Sequence, residues 1–191
     1  TPPADSILIA FVGGRRTASA ASPVAQPTIS DSLGGTWTPI TEISYSDGVN
    51  VGGGSQVWTR LRAFWRQVSS SPAAMTVTGV CSNAGHMGTV VVVTDGAALD
   101  FSSVATGSNA NGDPSVTLGT SPAGTSLVLT CAGGVGNALF APSGDFTEIY
   151  DAEPDAGSGW HMAVAYDDTT PGTGVTWTST NDGSVAIAIE I

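Results

Sequence analysis

The sequence predicts an all-β protein, and three observations support this prediction. Apolar and polar residues alternate with a period of two in one short segment after another, which is the pattern of half-buried strands. Clusters of Gly, Asn, Asp, Ser and Pro separate these segments, as turns do. No segment combines a sustained period of 3.6 residues with the capping residues that begin and end helices. The 191 residues, of which 41% are hydrophobic, are enough to bury a core.

The first half of the chain contains five predicted strands. The first is a short apolar run that ends at Gly13 and Gly14, so we expect a buried strand followed by a turn. The range Arg15–Leu33 is rich in Ala, Ser and Pro without a clear period and predicts a long loop. Pro39 indicates an edge position or a bulge, because proline has no amide hydrogen to donate. The five strands are Ile7–Val12, Trp37–Tyr45, Ser55–Val68, Met75–Cys81 and Gly88–Thr94.

The second half follows a polar connection at about 97–124 and resembles the first half with shorter loops. Its predicted strands are Ser115–Leu118, Ser126–Ala132, Phe146–Tyr150, Trp160–Tyr166, Val175–Thr180 and Ser184–Ile191. Five of these contain matches to first-half segments in the same order, at a spacing that shrinks from 120 to 95 residues. The matches are Ser6–Gly14 with Ser126–Gly134, Gly35–Thr38 with Gly144–Thr147, Leu61–Trp65 with Met162–Tyr166, Met75–Thr78 with Val175–Thr178, and Thr89–Val93 with Ser184–Ala188.

This internal repeat predicts one domain over residues 1–191 rather than two. Two separate halves, at about 5–96 and 125–191, would each be small and would have open sheet edges to protect. Intercalated into two facing sheets, they form one antiparallel β-sandwich of jelly-roll type with about ten strands and a shared core.

The strand Ser55–Val68 is the element around which the rest is organised. Its first face is mostly apolar and can close a core; it carries Val57, Thr59, Leu61, Ala63 and Trp65. Its second face combines arginines with aromatic rings. We call this second face the arginine ladder, and it consists of Trp58, Arg60, Arg62, Phe64 and Arg66. The repeat aligns the ladder with His161, Ala163, Ala165 and Asp167, which predicts a solvent or interface face there too.

The arginine ladder has three interpretations. The arginines can pair within the chain with carboxylates of a neighbouring strand, while the predicted loop Arg15–Leu33 covers the rings. The ladder can instead form a subunit interface, because interfaces are enriched in Arg and aromatic residues. It can also bind a glycan, because rings stack on sugar faces and the arginine fork donates to hydroxyls and carboxylates.

Charge is unevenly distributed along the chain. The net charge is −11, yet residues 1–66 hold all five arginines against four acids, whereas residues 67–191 hold twelve acids and no arginine or lysine. This balance argues against nucleic acid and anionic membranes as partners, and no apolar run approaches the roughly 20 residues of a membrane span. The only cysteines, Cys81 and Cys131, each fall in a predicted strand. We expect buried free thiols, with a single disulfide as the alternative.

Catalytic signatures are absent from the sequence, so we expect a protein that is not an enzyme. His86 lies in a predicted turn and His161 in a strand, and neither belongs to a nucleophile motif. One loop has acids at alternate positions, a pattern that can present oxygens to Ca²⁺. This weak calcium candidate consists of Asp151, Glu153 and Asp155. Apart from it, we expect no cofactor.

Five segments carry a resemblance to a known kind of protein: SILIAFVGG, GGTWTPI, TRLRAFWRQV, SPAAMTVTG and VVVVTDGA. Their order and spacing resemble the jelly-roll sandwiches of phage virion accessory proteins, such as head decoration and tail-fibre-attached proteins, and of bacterial secreted lectin-like modules. The resemblance implies a location on a virion surface or outside the cell, with other virion proteins or further copies of the chain as partners. The alternative that it implies is a carbohydrate-binding module, with Trp58, Trp160 or Trp177 as stacking platforms.

Overall fold

Strands make up all the regular secondary structure of the described residues. The computed structural model of the chain describes residues 1–18, 23–46, 56–94, 101, 103–110, 113–120, 122–123, 126–136, 138–154, 159–169, 171–180 and 182–191. Within them the chain forms fourteen strands, all paired antiparallel, and no helix. The all-β prediction is confirmed, and the strand number exceeds the expected ten. It follows that these residues include no helix long and apolar enough to cross a membrane.

The fourteen strands are numbered here in chain order. They are β1 (Ile7–Ala18), β2 (Thr28–Asp31), β3 (Thr38–Ser46), β4 (Gln56–Gln67), β5 (Val77–Val80), β6 (His86–Thr94), β7 (Val104–Asn109), β8 (Ser115–Thr117), β9 (Val128–Val135), β10 (Ala141–Pro142), β11 (Thr147–Ala152), β12 (Trp160–Asp167), β13 (Gly174–Thr178) and β14 (Asp182–Glu190).

Two large sheets and two small sheets build the molecule. The first large sheet has the strand order β3-β4-β1-β6, and the second has the order β11-β12-β9-β14-β7. The two large sheets pack face to face, with β14 lying against β3 and β4 and with β12 against β6. The first small sheet pairs β2 with β5, and the second small sheet has the order β10-β13-β8. The arrangement is therefore a β-sandwich with an additional small sheet on each side.

The main core lies between the large sheets. It contains alternate residues of β1 and β4 on one side and of β9, β12 and β14 on the other, as period-two alternation requires. Trp160 is fully buried there, over Gly13 of one sheet and Gly133 of the other. A Cβ atom on Gly13 would lie 2.9 Å from Cζ2 of Trp160, and one on Gly133 would lie 2.8 Å from Cη2. Both glycines therefore make room for the indole ring.

The small sheets cover the outer faces of the large sheets. Beneath the first small sheet, Val12 and Phe64 of the first large sheet pack with Val24 and Cys81. The second small sheet packs against the outer face of the second large sheet, in a cluster that contains Val116, Phe140, Ala163, Ala165, Val175 and Trp177.

The second small sheet overturns one prediction about β12. The face that carries His161 and Asp167 was expected to meet solvent or a partner, but these residues are only 2% and 4% exposed. The cause is the short strands β8, β10 and β13, which lie over this face and pack on its alanines.

Other differences concern the segments predicted as irregular. The range Arg15–Leu33 was expected to be a loop, but β1 continues to Ala18 because its pairing with β4 extends to the register Ala18 with Gln56. The same range also contains β2, which pairs with β5. The polar connection contains β7, which is paired with β14 at the edge of the second large sheet. Both Cys81 and Cys131 are buried free thiols, as expected.

Candidate functional site

The arginine ladder lies on the outer face of β4, opposite the main core. Glu42 of the neighbouring strand β3 is directly opposite Arg62 in the register of the two strands. Arg60 Nε donates to Glu42 Oε1 at 3.0 Å, and a second nitrogen of Arg60 also bonds to this oxygen. Arg62 Nε lies 3.6 Å from Glu42 Oε2. Burial alone would raise the pKa of Glu42, but the bonds and charges of the two arginines help to lower it.

The segment that precedes β2 covers the same two arginines. Arg60 donates to the backbone carbonyl of Val24 at 2.9 Å, and Arg62 donates to that of Pro27 at 3.1 Å. The amide nitrogen of the Gln26 side chain donates to Glu42 at 2.8 Å. Three contacts thus tie this segment to the ladder and to the Glu42 carboxylate. A buried carbonyl needs a donor, and the arginine fork supplies one.

The last arginine of the ladder, Arg66, pairs with Asp31 at the end of β2. The Asp31 carboxylate also accepts hydrogen bonds from the indole nitrogen of Trp37 at 2.8 Å and from the backbone nitrogen of Leu33 at 2.8 Å. Burial on its own would raise the pKa of Asp31, but these bonds outweigh it and lower the pKa to about 2. The Arg66 guanidinium lies directly on Gly35, and a side chain at position 35 would occupy the same space.

The aromatic residues of the ladder are also packed internally. Phe64 is 4% exposed, and the Arg62 guanidinium carbon lies 4.9 Å from the centre of its ring. Trp58 is half-buried and packs against the cluster beneath the first small sheet. The side chains of the three arginines are only 14–19% exposed. The contacts therefore correspond to the first interpretation of the ladder, in which it holds the chain's own segments.

The calcium candidate is divided between described and undescribed residues. Asp151 bonds to His161 Nε2 through one oxygen, and its other oxygen accepts the backbone nitrogen of Phe140 at 3.1 Å. Burial raises the pKa of Asp151 in spite of the opposing effect of His161. Glu153 is half-buried, and Asp155 lies outside the described residues. The described part of the chain contains no group of three or more metal-ligating side chains, so the calcium site stays a prediction.

Two of the predicted sugar-stacking platforms are inaccessible. Trp160 and Trp177 have no exposed surface. Trp160 fills the space between the large sheets, and Trp177 packs beneath the second small sheet while its indole nitrogen donates to Thr130 at 3.1 Å. Of the three proposed platforms, only Trp58 retains part of its surface.

The sequence interpretation missed an apolar groove at the edge of the first large sheet. We call it the edge groove; its volume is about 500 Å³, and it is lined by Thr1, Pro2, Pro3, Leu8, Met75, Val77, Val91 and Val93. Val93, which is 48% exposed, lies on β6 at the edge of the sheet. The run of four valines from Val90 was the signal in the sequence. It did not reveal the groove, because a strand buried on both sides and an uncovered edge strand look alike in one sequence.

Comparisons with protein-family models, with curated proteins and with solved structures return no match to this chain.

Proposed function

We propose that this chain is a non-enzymatic structural or accessory protein of a virus particle, a capsid decoration or tail-fibre-associated module that attaches to other proteins on the particle exterior. The observation that carries the proposal is the edge groove. It offers an almost wholly apolar surface without acidic or basic side chains, whereas the ladder is engaged inside the chain. Apolar surfaces of this kind are typical of protein contacts.

The proposal includes a sandwich of jelly-roll type built from two similar halves. The strand order supports the two halves, because β3-β4-β1-β6 in one large sheet has a counterpart in β11-β12-β9-β14 in the other. The pairing of β2 with β5 likewise has a counterpart in that of β10 with β13. These counterparts join the segments that the internal repeat aligned. Each half occupies one large sheet in this arrangement, so the halves face each other instead of intercalating.

Internal engagement of the polar groups favours attachment over catalysis. The carboxylates of Glu42 and Asp31 pair with the arginines of the ladder, and the buried pair of His161 and Asp151 is 3% and 7% exposed. A general acid or base must reach the substrate proton, and these groups are covered by β-strands of the same chain. A carbohydrate-binding module is the alternative function, and it depends on Trp58 as the remaining platform.

Location on the particle is the decisive test. We expect antibodies against the purified chain to label the exterior of intact particles in electron micrographs, and detergent-washed particles to retain the protein. Labelling confined to cell debris would contradict the proposal. A calorimetric titration with dextran and with alginate tests the alternative. A saturable heat of binding that is lost in Trp58→Ala would support attachment to glycan instead of attachment to protein.

A further inference from the structure

A polar pocket lies where the pairing of β1 with β6 begins. Its volume is about 290 Å³. The adjacent residues Arg15 and Arg16 of β1 line it, together with His86 at the start of β6 and the turn at 83–85. We call it the arginine pocket. None of the described residues that line it is acidic, so its lining is basic in a chain whose net charge is −11.

The strand register brings hydrogen-bond donors together at this pocket. Arg15 is directly opposite His86, so the two side chains are neighbours on one face of the sheet. Arg16 is directly opposite Trp58 on the other face, and the indole nitrogen of Trp58 is buried without a hydrogen-bond partner among the described residues. A guanidinium has several N–H donors and no acceptor, and an imidazole also donates. The side chains around the pocket are therefore suited to bind oxygen atoms that carry negative charge.

The wall of the pocket is fixed by contacts of the turn at 83–85. The backbone nitrogen of Gly85 donates to the carbonyl of Arg15 at 2.9 Å. The side-chain oxygen of Asn83 accepts the backbone nitrogen of Ala25, and its side-chain nitrogen donates to the carbonyl of Pro23 at 3.1 Å. Asn83 therefore supports the wall and leaves ligand binding to the basic residues. A pocket that is held in shape before binding loses less conformational freedom when a ligand enters.

Charge favours an anion in the arginine pocket. The three ladder arginines face the carboxylates of Glu42 and Asp31, whereas the described lining of the pocket contains no carboxylate. Burial lowers the pKa of Arg15, because removal from water disfavours the charged form, and an anion beside the guanidinium would favour that form. The planar fork of arginine matches the oxygens of a phosphate group, and its several donors let it bind such a group while it keeps contacts within the chain.

We propose that the arginine pocket binds a tetrahedral oxyanion, a phosphate or sulfate group, held by the guanidiniums of Arg15 and Arg16 with His86 as a further donor. Ligand pockets usually have volumes of about 300–1,000 Å³, and the arginine pocket is at the lower end of this range. Its size therefore suits a single charged group, either as a free ion or as part of a polysaccharide that remains outside. The inference goes beyond the proposed function, because the pocket shares no lining residue with the edge groove.

The test is a calorimetric titration with inorganic phosphate, with inorganic sulfate and with dextran sulfate, which carries the same group on a polysaccharide. We expect a saturable heat of binding that added NaCl weakens, because salt screens exposed charges. Arg15→Gln and Arg16→Gln should each weaken binding by about tenfold, the typical effect of losing a hydrogen bond between charged groups. Thr117→Glu is the matched control, because it makes the same change in net charge at an exposed position outside the pocket, and it should bind like the unmodified chain.

The titrations distinguish the two sources of the anion and can refute the site. Saturation by phosphate or sulfate identifies a free ion as the ligand, and saturation by dextran sulfate alone, lost in Arg15→Gln, identifies a polysaccharide. The inference is overturned if none of the three binds, if both arginine variants bind like the unmodified chain, or if Thr117→Glu weakens binding equally. Equal affinity for acetate would also overturn it, since the site would then take a carboxylate. Circular dichroism verifies that the variants fold. Arg15→Lys, which keeps the charge but loses the fork, replaces Arg15→Gln if that variant does not fold, and it should weaken binding as well.

Discussion

Replacing Asp31 by asparagine removes the charge that holds Arg66 and leaves the size of the side chain unchanged. The Asp31 side chain has no exposed surface, and it accepts bonds from Arg66, Trp37 and the backbone nitrogens of Leu33 and Gly35. It fastens the end of β2 to β4. We expect Asp31→Asn to lower the free energy of unfolding and to make it less dependent on pH in acid.

The magnitude follows from the pKa of Asp31, which is about 2 in the fold against an ordinary value of 3.8. One pKa unit corresponds to about 1.4 kcal/mol, so the ionised carboxylate contributes on the order of 2 kcal/mol at neutral pH. A depressed pKa in the fold means that this contribution is fully present above pH 3.8 and is lost as the pH falls through 2. By the same relation, about half of this contribution remains at pH 3.

The assay is urea unfolding of the unmodified chain and of Asp31→Asn at pH 7 and at pH 3, followed by tryptophan fluorescence. The difference in the free energy of unfolding should fall by about half between the two pH values. Asp145→Asn is the matched control, because Asp145 is exposed, and its difference should be close to zero at both. A difference for Asp31→Asn that stays constant between pH 7 and pH 3 would refute the reasoning, since the loss would then be independent of the carboxylate charge.

Three further predictions concern the cores, the thiols and the calcium candidate. Gly133→Ala should lower the free energy of unfolding by about 1–3 kcal/mol in urea titrations. The reason is that the new methyl group would meet the Trp160 ring at 2.8 Å. An unchanged urea midpoint would contradict this packing. Both thiols should react with a thiol reagent only on unfolding, because burial raises the pKa of each thiol. The pKa of Cys81 rises to about 11, against a smaller opposing effect of Arg60, and that of Cys131 rises well above its ordinary value. Fast reaction of the native chain would be the contrary result. Chelation by EDTA should leave the midpoint of thermal unfolding unchanged, since both oxygens of Asp151 are already bonded within the chain. If EDTA lowers this midpoint and added Ca²⁺ restores it, the result would instead support the calcium site.

Much of the strand arrangement was accessible to sequence reasoning because period-two alternation records which face is buried. The inward face of β4 was predicted from alternation alone, and Leu61 and Ala63 are indeed fully buried in the main core. Pro39 correctly indicated an edge strand with a bulge, because its missing amide hydrogen excludes regular pairing on both sides. These features depend on local chemistry, so one sequence is sufficient to predict them.

The small sheets were not accessible in the same way, because they depend on contacts between distant segments. The outer face of β12 reads as a mixture of His161, Ala163, Ala165 and Asp167, which is equally compatible with solvent and with a thin covering sheet. Its cover comes partly from β8 and β10, strands of only three and two residues, which are too short for alternation to reveal. The partner of Arg66 is likewise 35 residues away. Nothing in the local pattern distinguishes Asp31 from the other acids as that partner.

The two small sheets are attached to the large sheets by different chemistry, and this difference accounts for the uneven charge of the chain. The first small sheet and the segment before it are held by Arg60, Arg62 and Arg66, which together with two carboxylates fasten polar backbone to β4. Residues 67–191 contain no arginine or lysine, and there the cover rests on apolar packing around Trp177 and Phe140. The concentration of arginine on one strand therefore has a structural cause within the fold.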